Sequence, residues 1–240
     1  MRTIPLLSPA EVHIWTARLP SAPPEEIATT LSPEECARAC RFQRTADRFR
    51  YVFAHAVLRD VLSRYMDCPP ADIRFAENPF GKPFLDETNG ARVPEFNLSH
   101  AGGLVLVGVC ESRRVGIDVE EIRPMDDLSS IAESHYTPQE CAFIFGQVPD
   151  NQTRAFFRCW TRKEAYVKAL GKGLSIPLNS FETNMQPELG RSSHNLPCSA
   201  DGANWKLADV DVPEGYMAAL AVETGMDSLV YFEWRRASGK

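Results

Sequence analysis

In WTRKEAYVKALGKG (160–173), Trp160, Glu164 and Lys168 recur at four-residue intervals, so a helix would show an acid and a base one turn apart on one stripe. On a solvated face such a pair adds only a few tenths of a kcal/mol to a helix. A second segment, VGIDVEEI (115–122), carries two more candidate carboxylates, Asp118 and Glu120. Side chains alternate along a strand, so Ile117 and Val119 would face a core while Asp118 and Glu120 share the opposite face, ~7 Å apart. Two hard oxygen donors at that spacing suit one Mg²⁺, which fills its other positions with water and substrate phosphate; the alternative is a solvated edge. Glu164 would add a third acid, and Lys168 would meet phosphate oxygens.

Such a metal site expects an anionic partner. Arg38, Arg41, Arg44 and Arg48 fall within about a third of a helix circumference at ~100° per residue. That stripe is either solvated or a patch for a phosphomonoester, which carries roughly −1.5 to −2 charges. Lys82, in Gly81-Lys82-Pro83, lacks the spacing of a P-loop. Ser99-His100 is not a catalytic dyad, and no G-x-S-x-G elbow occurs. The Gly102-Gly103 loop that follows would let backbone and imidazole come close to an anion.

These residues need elements to hold them. EVHIWTARL (11–19) alternates as a strand. SPEE (32–35) is a capping box with Ser32 as N-cap and Pro33 at N1, opening a helical pattern that runs, with a break, to about Met66. DIRFAENPFGKPFLD (72–86) reads as strand, turn and strand, and LVLVGVC (104–110) as a buried strand. VGIDVEEI follows it across a short turn, as in a hairpin. TPQE (137–140) opens a second helical region, and a long helix spans about Thr153–Leu170 with Gly171 at C′. LSIPLNSFETNM, NWKLADVDV, YMAALAVE and LVYFEWR read as strands, and 186–204 as an exposed hairpin loop. Helix-then-strands occurs twice, which predicts an α+β protein of two similar halves, 1–114 and 115–240.

The chain of 240 residues carries a net charge of −6, which excludes a nucleic-acid binder driven by overall charge. Seven cysteines at irregular spacing, with no C-x-x-C, argue for reduced thiols rather than a disulfide framework or a zinc site. The N-terminal MRTIPLLSPAEVHIW has one arginine and no sustained apolar run, unlike a signal peptide. The longest apolar stretch, Leu104–Cys110, is too short to span a bilayer. The expectation is a cytoplasmic protein with no membrane partner.

Taken in order, FGKP, FNLSH, VGIDVE and W-T-x-K-E-A-x-x-K followed by GKGLSIPL closely resemble the 4′-phosphopantetheinyl transferases, of the monomeric surfactin-synthetase-activating type. The resemblance runs from about Ser32 to Val222. It implies two α+β halves about a pseudo-twofold axis with coenzyme A between them. It implies transfer of phosphopantetheine from coenzyme A to a serine of an acyl, aryl or peptidyl carrier protein, releasing adenosine 3′,5′-bisphosphate. By the family pattern Asp118, Glu120 and Glu164 would hold Mg²⁺ (or Mn²⁺), Glu164 would help deprotonate the carrier serine, and Lys168 would steady pyrophosphate and leaving oxygen. His100, Ser99, Lys82 with Pro83, and Arg38 would meet coenzyme A, with His100 close to the chemistry. A basic residue common three positions before Arg38 is Glu35 here, so Arg41 or Arg44 would have to take its place. His135, Tyr136, Phe143 and Phe145 are expected as a carrier-docking surface. Two other readings stay open: a non-catalytic carrier or coenzyme A binding module, and a magnesium-dependent phosphoanhydride hydrolase.

Overall fold

The computed structural model describes residues 6–21, 27–66, 68–86, 93–183, 185, 194–195, 202–224 and 226–235. The chain runs β1 (Glu11–Arg18), α1 (Pro33–Ala39), α2 (Thr45–Met66), β2 (Phe75–Glu77), β3 (Pro83–Leu85), β4 (Glu95–Ala101), β5 (Leu104–Cys110) and β6 (Val115–Glu121). There follow α3 (Leu128–His135), α4 (Pro138–Phe145), α5 (Pro149–Leu170), β7 (His194–Asn195), β8 (Trp205–Asp209), β9 (Tyr216–Glu223) and β10 (Ser228–Glu233). Two four-stranded sheets, β10-β1-β5-β4 and β6-β9-β8-β7, stack face to face.

The layering follows from alternation. In β1, Val12 and Ile14 point into the space between the sheets, where they meet Leu104, Leu106, Ile117, Val119, Leu220 and Val222. Trp15 and Ala17 point the other way, onto Phe53, Val57 and Val61 of α2. The second sheet repeats the plan: Ala219 and Ala221 turn outward onto Ala165, Tyr166 and Ala169 of α5. Each half thus lays a 22-residue helix across the outer face of its sheet. The expected α+β architecture of two similar halves is what forms. The last strand crosses back, however: β10 lies parallel to β1, so the first sheet includes chain from beyond residue 115.

Both capping boxes are present, at Ser32/Glu35 and Thr137/Glu140, and Gly171 ends α5 in the left-handed region at φ 66°. Three expectations fail. β5 and β6 are not a hairpin: β5 pairs with β1 and β4, β6 with β9, because each is apolar toward the inter-sheet core and needs its own layer. LSIPLNSF is not a strand. It forms 3₁₀ turns at Gly173–Ser175 and Leu178–Ser180, whose geometry brings the Leu178 and Phe181 carbonyls onto the Lys163 ammonium at 2.7 and 2.6 Å. The four arginines share no stripe, since α1 ends at Ala39 and α2 begins at Thr45, leaving Arg41 and Arg44 in the break. Most of the expected 186–204 loop lies outside the described residues.

Candidate active site

One contact sets the geometry of the site. A Cβ added to Gly116 of β6 would stand 2.1 Å from the Ala165 carbonyl and 2.3 Å from the Ala169 amide, so α5 presses directly on the strand there. That closeness brings the Glu164–Lys168 stripe over the face of β6 that carries Asp118 and Glu120. Along the second half of α5 nearly every side chain is buried, while Trp160, Glu164 and Lys168 stay partly open.

Asp118 is 3% exposed. Its Oδ1 accepts from the Lys168 ammonium at 2.5 Å and from the Ser99 hydroxyl at 3.0 Å, and Lys168 also reaches Ser99 Oγ at 3.0 Å. Its Oδ2 is buried with no hydrogen-bond partner. Burial pushes the Asp118 carboxyl above its usual range, against the pull of Lys168 and Ser99. Glu120 is raised by burial and then by the Asp118 charge, and Glu164 likewise, with Lys168 opposing. The Asp118 charge therefore reaches both Glu120 and Glu164, and the Lys168 ammonium opposes it on all three. Among the described residues no group of three or more His, Cys, Asp or Glu side chains is placed to hold a metal ion; Lys168 is the cation seated on Asp118.

The other sequence motifs gather beside this cluster. A hollow of 290 Å³ is lined by Phe80, Pro83, Leu98, Glu164, Val167 and Lys168, among others. Asn78 shapes its rim: the side-chain oxygen accepts from the Phe80 and Lys82 amides, and the side-chain nitrogen caps the Gly171 carbonyl at 2.7 Å. Lys82 lies in the lining, but its ammonium bonds the carbonyls of Val115 and Ala169 at 3.0 and 3.1 Å. Burial pulls that ammonium down to about 8. It braces the GKP turn against β6 and α5.

These features, spread over both halves, have close counterparts elsewhere. A 4′-phosphopantetheinyl transferase superfamily model matches residues 114–221, and a 4′-phosphopantetheinyl transferase N-terminal model matches 20–112. The 4′-phosphopantetheinyl transferase HetI of a Nostoc species is 34% identical over 216 residues, covering 88% of this chain and 87% of that protein. This chain belongs to the 4′-phosphopantetheinyl transferase family. The transferase Sfp of Bacillus subtilis is 32% identical over 196 residues, covering 82% and 84%. The family's Sfp type is the one that the sequence motifs resemble, and the chain is a transferase enzyme of that kind.

Within this phosphopantetheinyl transferase, the remaining candidate residues fall in three places. His100 is exposed, and partial desolvation, then Lys168, His55 and Arg50 nearby, hold its ring below the usual imidazole value. Arg38 is exposed, 3.8 Å from Glu77 and over the Tyr51 ring at 5.9 Å, while Arg41, Arg44 and Arg48 are exposed. Glu35 is committed to structure: it closes its capping box and accepts from His55 Nδ1 at 2.9 Å and Arg59 Nε at 2.7 Å. Burial pushes its carboxyl up, but the His55, Ser32 and Arg59 contacts bring it below its usual range.

Of the expected docking residues, Tyr136 is core, 3% exposed with its hydroxyl on the Phe156 carbonyl. His135 is exposed beside Trp160, and Phe145 is exposed. Sequence reading passed over Asn78, Asn97, Gly116 and the buried Lys163–Glu140 pair at 2.8 Å. The x-Asn-Pro start of a turn marked Asn78; nothing in a single sequence marks a partner lying twenty residues away.

Proposed function

We propose that this enzyme moves 4′-phosphopantetheine from coenzyme A to a serine hydroxyl of a carrier protein, with Mg²⁺ at Asp118, Glu120 and Glu164. The observation that carries the reading is the unpartnered, buried Oδ2 of Asp118, whose charge, after burial, also raises the carboxyls of Glu120 and Glu164. Such a set of hard oxygen donors fits a divalent cation that keeps several waters and binds phosphate. When bound, the ion would neutralise charge developing on the pyrophosphate oxygens.

The protein's own groups do the rest. Glu164, held above its ordinary pKa by burial, is suited to accept the serine proton. The serine oxygen then bonds to the pantetheine-side phosphorus as the bond from that phosphorus to the bridging pyrophosphate oxygen breaks. Lys168, on release from Asp118, meets the departing oxygen of adenosine 3′,5′-bisphosphate. The 290 Å³ hollow beside Glu164 and Lys168 receives the pantetheine arm, and His100 with Arg38 faces the nucleotide phosphates. Lys82 and Pro83 shape that hollow, and the exposed Arg41 and Arg44 offer further positive charge to the nucleotide phosphates. Because both halves come from one chain, a single copy carries every group used, and we read the enzyme as a monomer acting in the cytoplasm. Among the described residues no helix is long and apolar enough to cross a membrane.

Intact mass of apo acyl and peptidyl carrier proteins, after incubation with the enzyme, coenzyme A and Mg²⁺, tests this. A gain of one phosphopantetheine that EDTA abolishes is expected. Loss of adenosine bisphosphate from coenzyme A without any gain on the carrier would instead indicate hydrolysis.

A further inference from the structure

β4 and β6 are both edge strands, and they face each other at the middle of the molecule without a backbone ladder between them. An open edge leaves a row of N–H groups that need partners. Side chains supply them here. The Ile117 amide donates to Asn97 Oδ1 at 2.9 Å, and the Val119 amide to Ser99 Oγ at 3.3 Å. Asn97 and Ser99 are two residues apart on β4, so alternation puts them on one side, in step with Ile117 and Val119. Both are buried, at 7% and 5% exposure.

The Ser99 hydroxyl is fully used. A hydroxyl has one hydrogen and two lone pairs. The hydrogen goes to Asp118 Oδ1, and the lone pairs take the Val119 amide and the Lys168 ammonium. Nothing remains for a phosphate. With Oδ1 held by Ser99 and Lys168, the oxygen of Asp118 left without a hydrogen bond is Oδ2.

We infer that Ser99 is a positioning residue that fixes the rotation of Asp118 and the resting place of Lys168, and that Asn97 and Ser99 together form the side-chain seam joining the two sheets at the active site. This replaces the expected contact of Ser99 with coenzyme A. It rests on the proposed function for its kinetic consequence but not for its structural one.

The test compares wild type, Ser99→Ala and Ser99→Thr by three readouts. Amide hydrogen exchange at Ile117 and Val119 is followed without metal or coenzyme. Mg²⁺ is titrated by calorimetry into protein saturated with coenzyme A, and the carrier-transfer rate is resolved into kcat and KM for coenzyme A. Ser99→Ala is expected to speed exchange at Val119 while leaving Ile117 protected by Asn97. It should lower Mg²⁺ affinity and kcat by about 10–100-fold, the range for partners that orient metal ligands, with KM for coenzyme A within about twofold; Ser99→Thr, which keeps the hydroxyl, should recover most of each. A rise in KM for coenzyme A with unchanged Val119 exchange and Mg²⁺ affinity would overturn the inference. If wild type transfers nothing to any carrier, the proposed function falls, and the exchange at Val119 still decides the seam.

Discussion

Lys168 sits on Asp118 at 2.5 Å, but an ammonium that only neutralised a buried acid would serve stability rather than chemistry. The two roles separate by experiment. Asp118→Ala and Glu164→Ala should each cut turnover by at least about 10²-fold, the scale of losing a preorganised electrostatic contact. Circular dichroism should show folded protein in both cases, and full activity in either variant would remove that residue from the mechanism. Lys168→Ala should lower kcat more than it weakens coenzyme A binding, measured by steady-state rates beside a coenzyme titration, because the proposed role places its contact on the departing oxygen. The spacing of Trp160, Glu164 and Lys168 and the D-x-E of β6 were legible because each lies within one element and obeys its period. Ser99 was visible as a residue but not as a hub. Its three partners lie in β6 and α5, and a single sequence carries no record of which strands meet.

Elements turn those residues into a site through close approach. Gly116→Ala puts a methyl 2.1 Å from a backbone carbonyl that cannot swing aside, so α5 must lift from β6. A loss of about 1–3 kcal/mol is expected in denaturant unfolding, together with reduced transfer activity, since Glu164 and Lys168 ride on that helix. On the far side of α5, Lys163 and Glu140 form a fully buried pair that also binds the carbonyls of Leu178 and Phe181 and the amide of Thr183. Lys163→Met removes the buried ammonium from Glu140, and should cost about 3–5 kcal/mol by the same measurement. Both capping boxes and the Gly171 stop could be read directly, since caps are local chemistry. The hairpin expected of β5 and β6 failed for a non-local reason: short turns favour hairpins, but two strands that each feed the same inter-sheet core are better served in separate sheets.

At the scale of the molecule, His13, on the face of β1 that packs against α2, is a titratable group that tunes stability. It is 2% exposed, its Nδ1 shares a hydrogen bond with the Tyr65 hydroxyl at 2.8 Å, and burial holds it below its ordinary 6.5 despite Glu11. A lowered folded pKa means that the unfolded chain binds the proton first as pH falls through 6.5, so this residue's contribution to stability shrinks on acidification. Relative to His13→Gln, wild type should lose melting temperature between about pH 7.5 and about pH 5.5. Equal slopes for the two proteins would exclude that role.

The placement of β10 beside β1 has a consequence for how the protein is made. A ribosome releases residues in order, and the first sheet lacks its outer strand until Ser228–Glu233 emerges. Through most of synthesis β1 therefore carries an open edge, with Trp15 awaiting the Phe232 ring that stacks on it at 4.6 Å. An open edge of that kind recruits other strands. The first half cannot mature early while the second is still being translated, and a nascent chain stalled before residue 228 is expected to associate with its neighbours rather than fold alone.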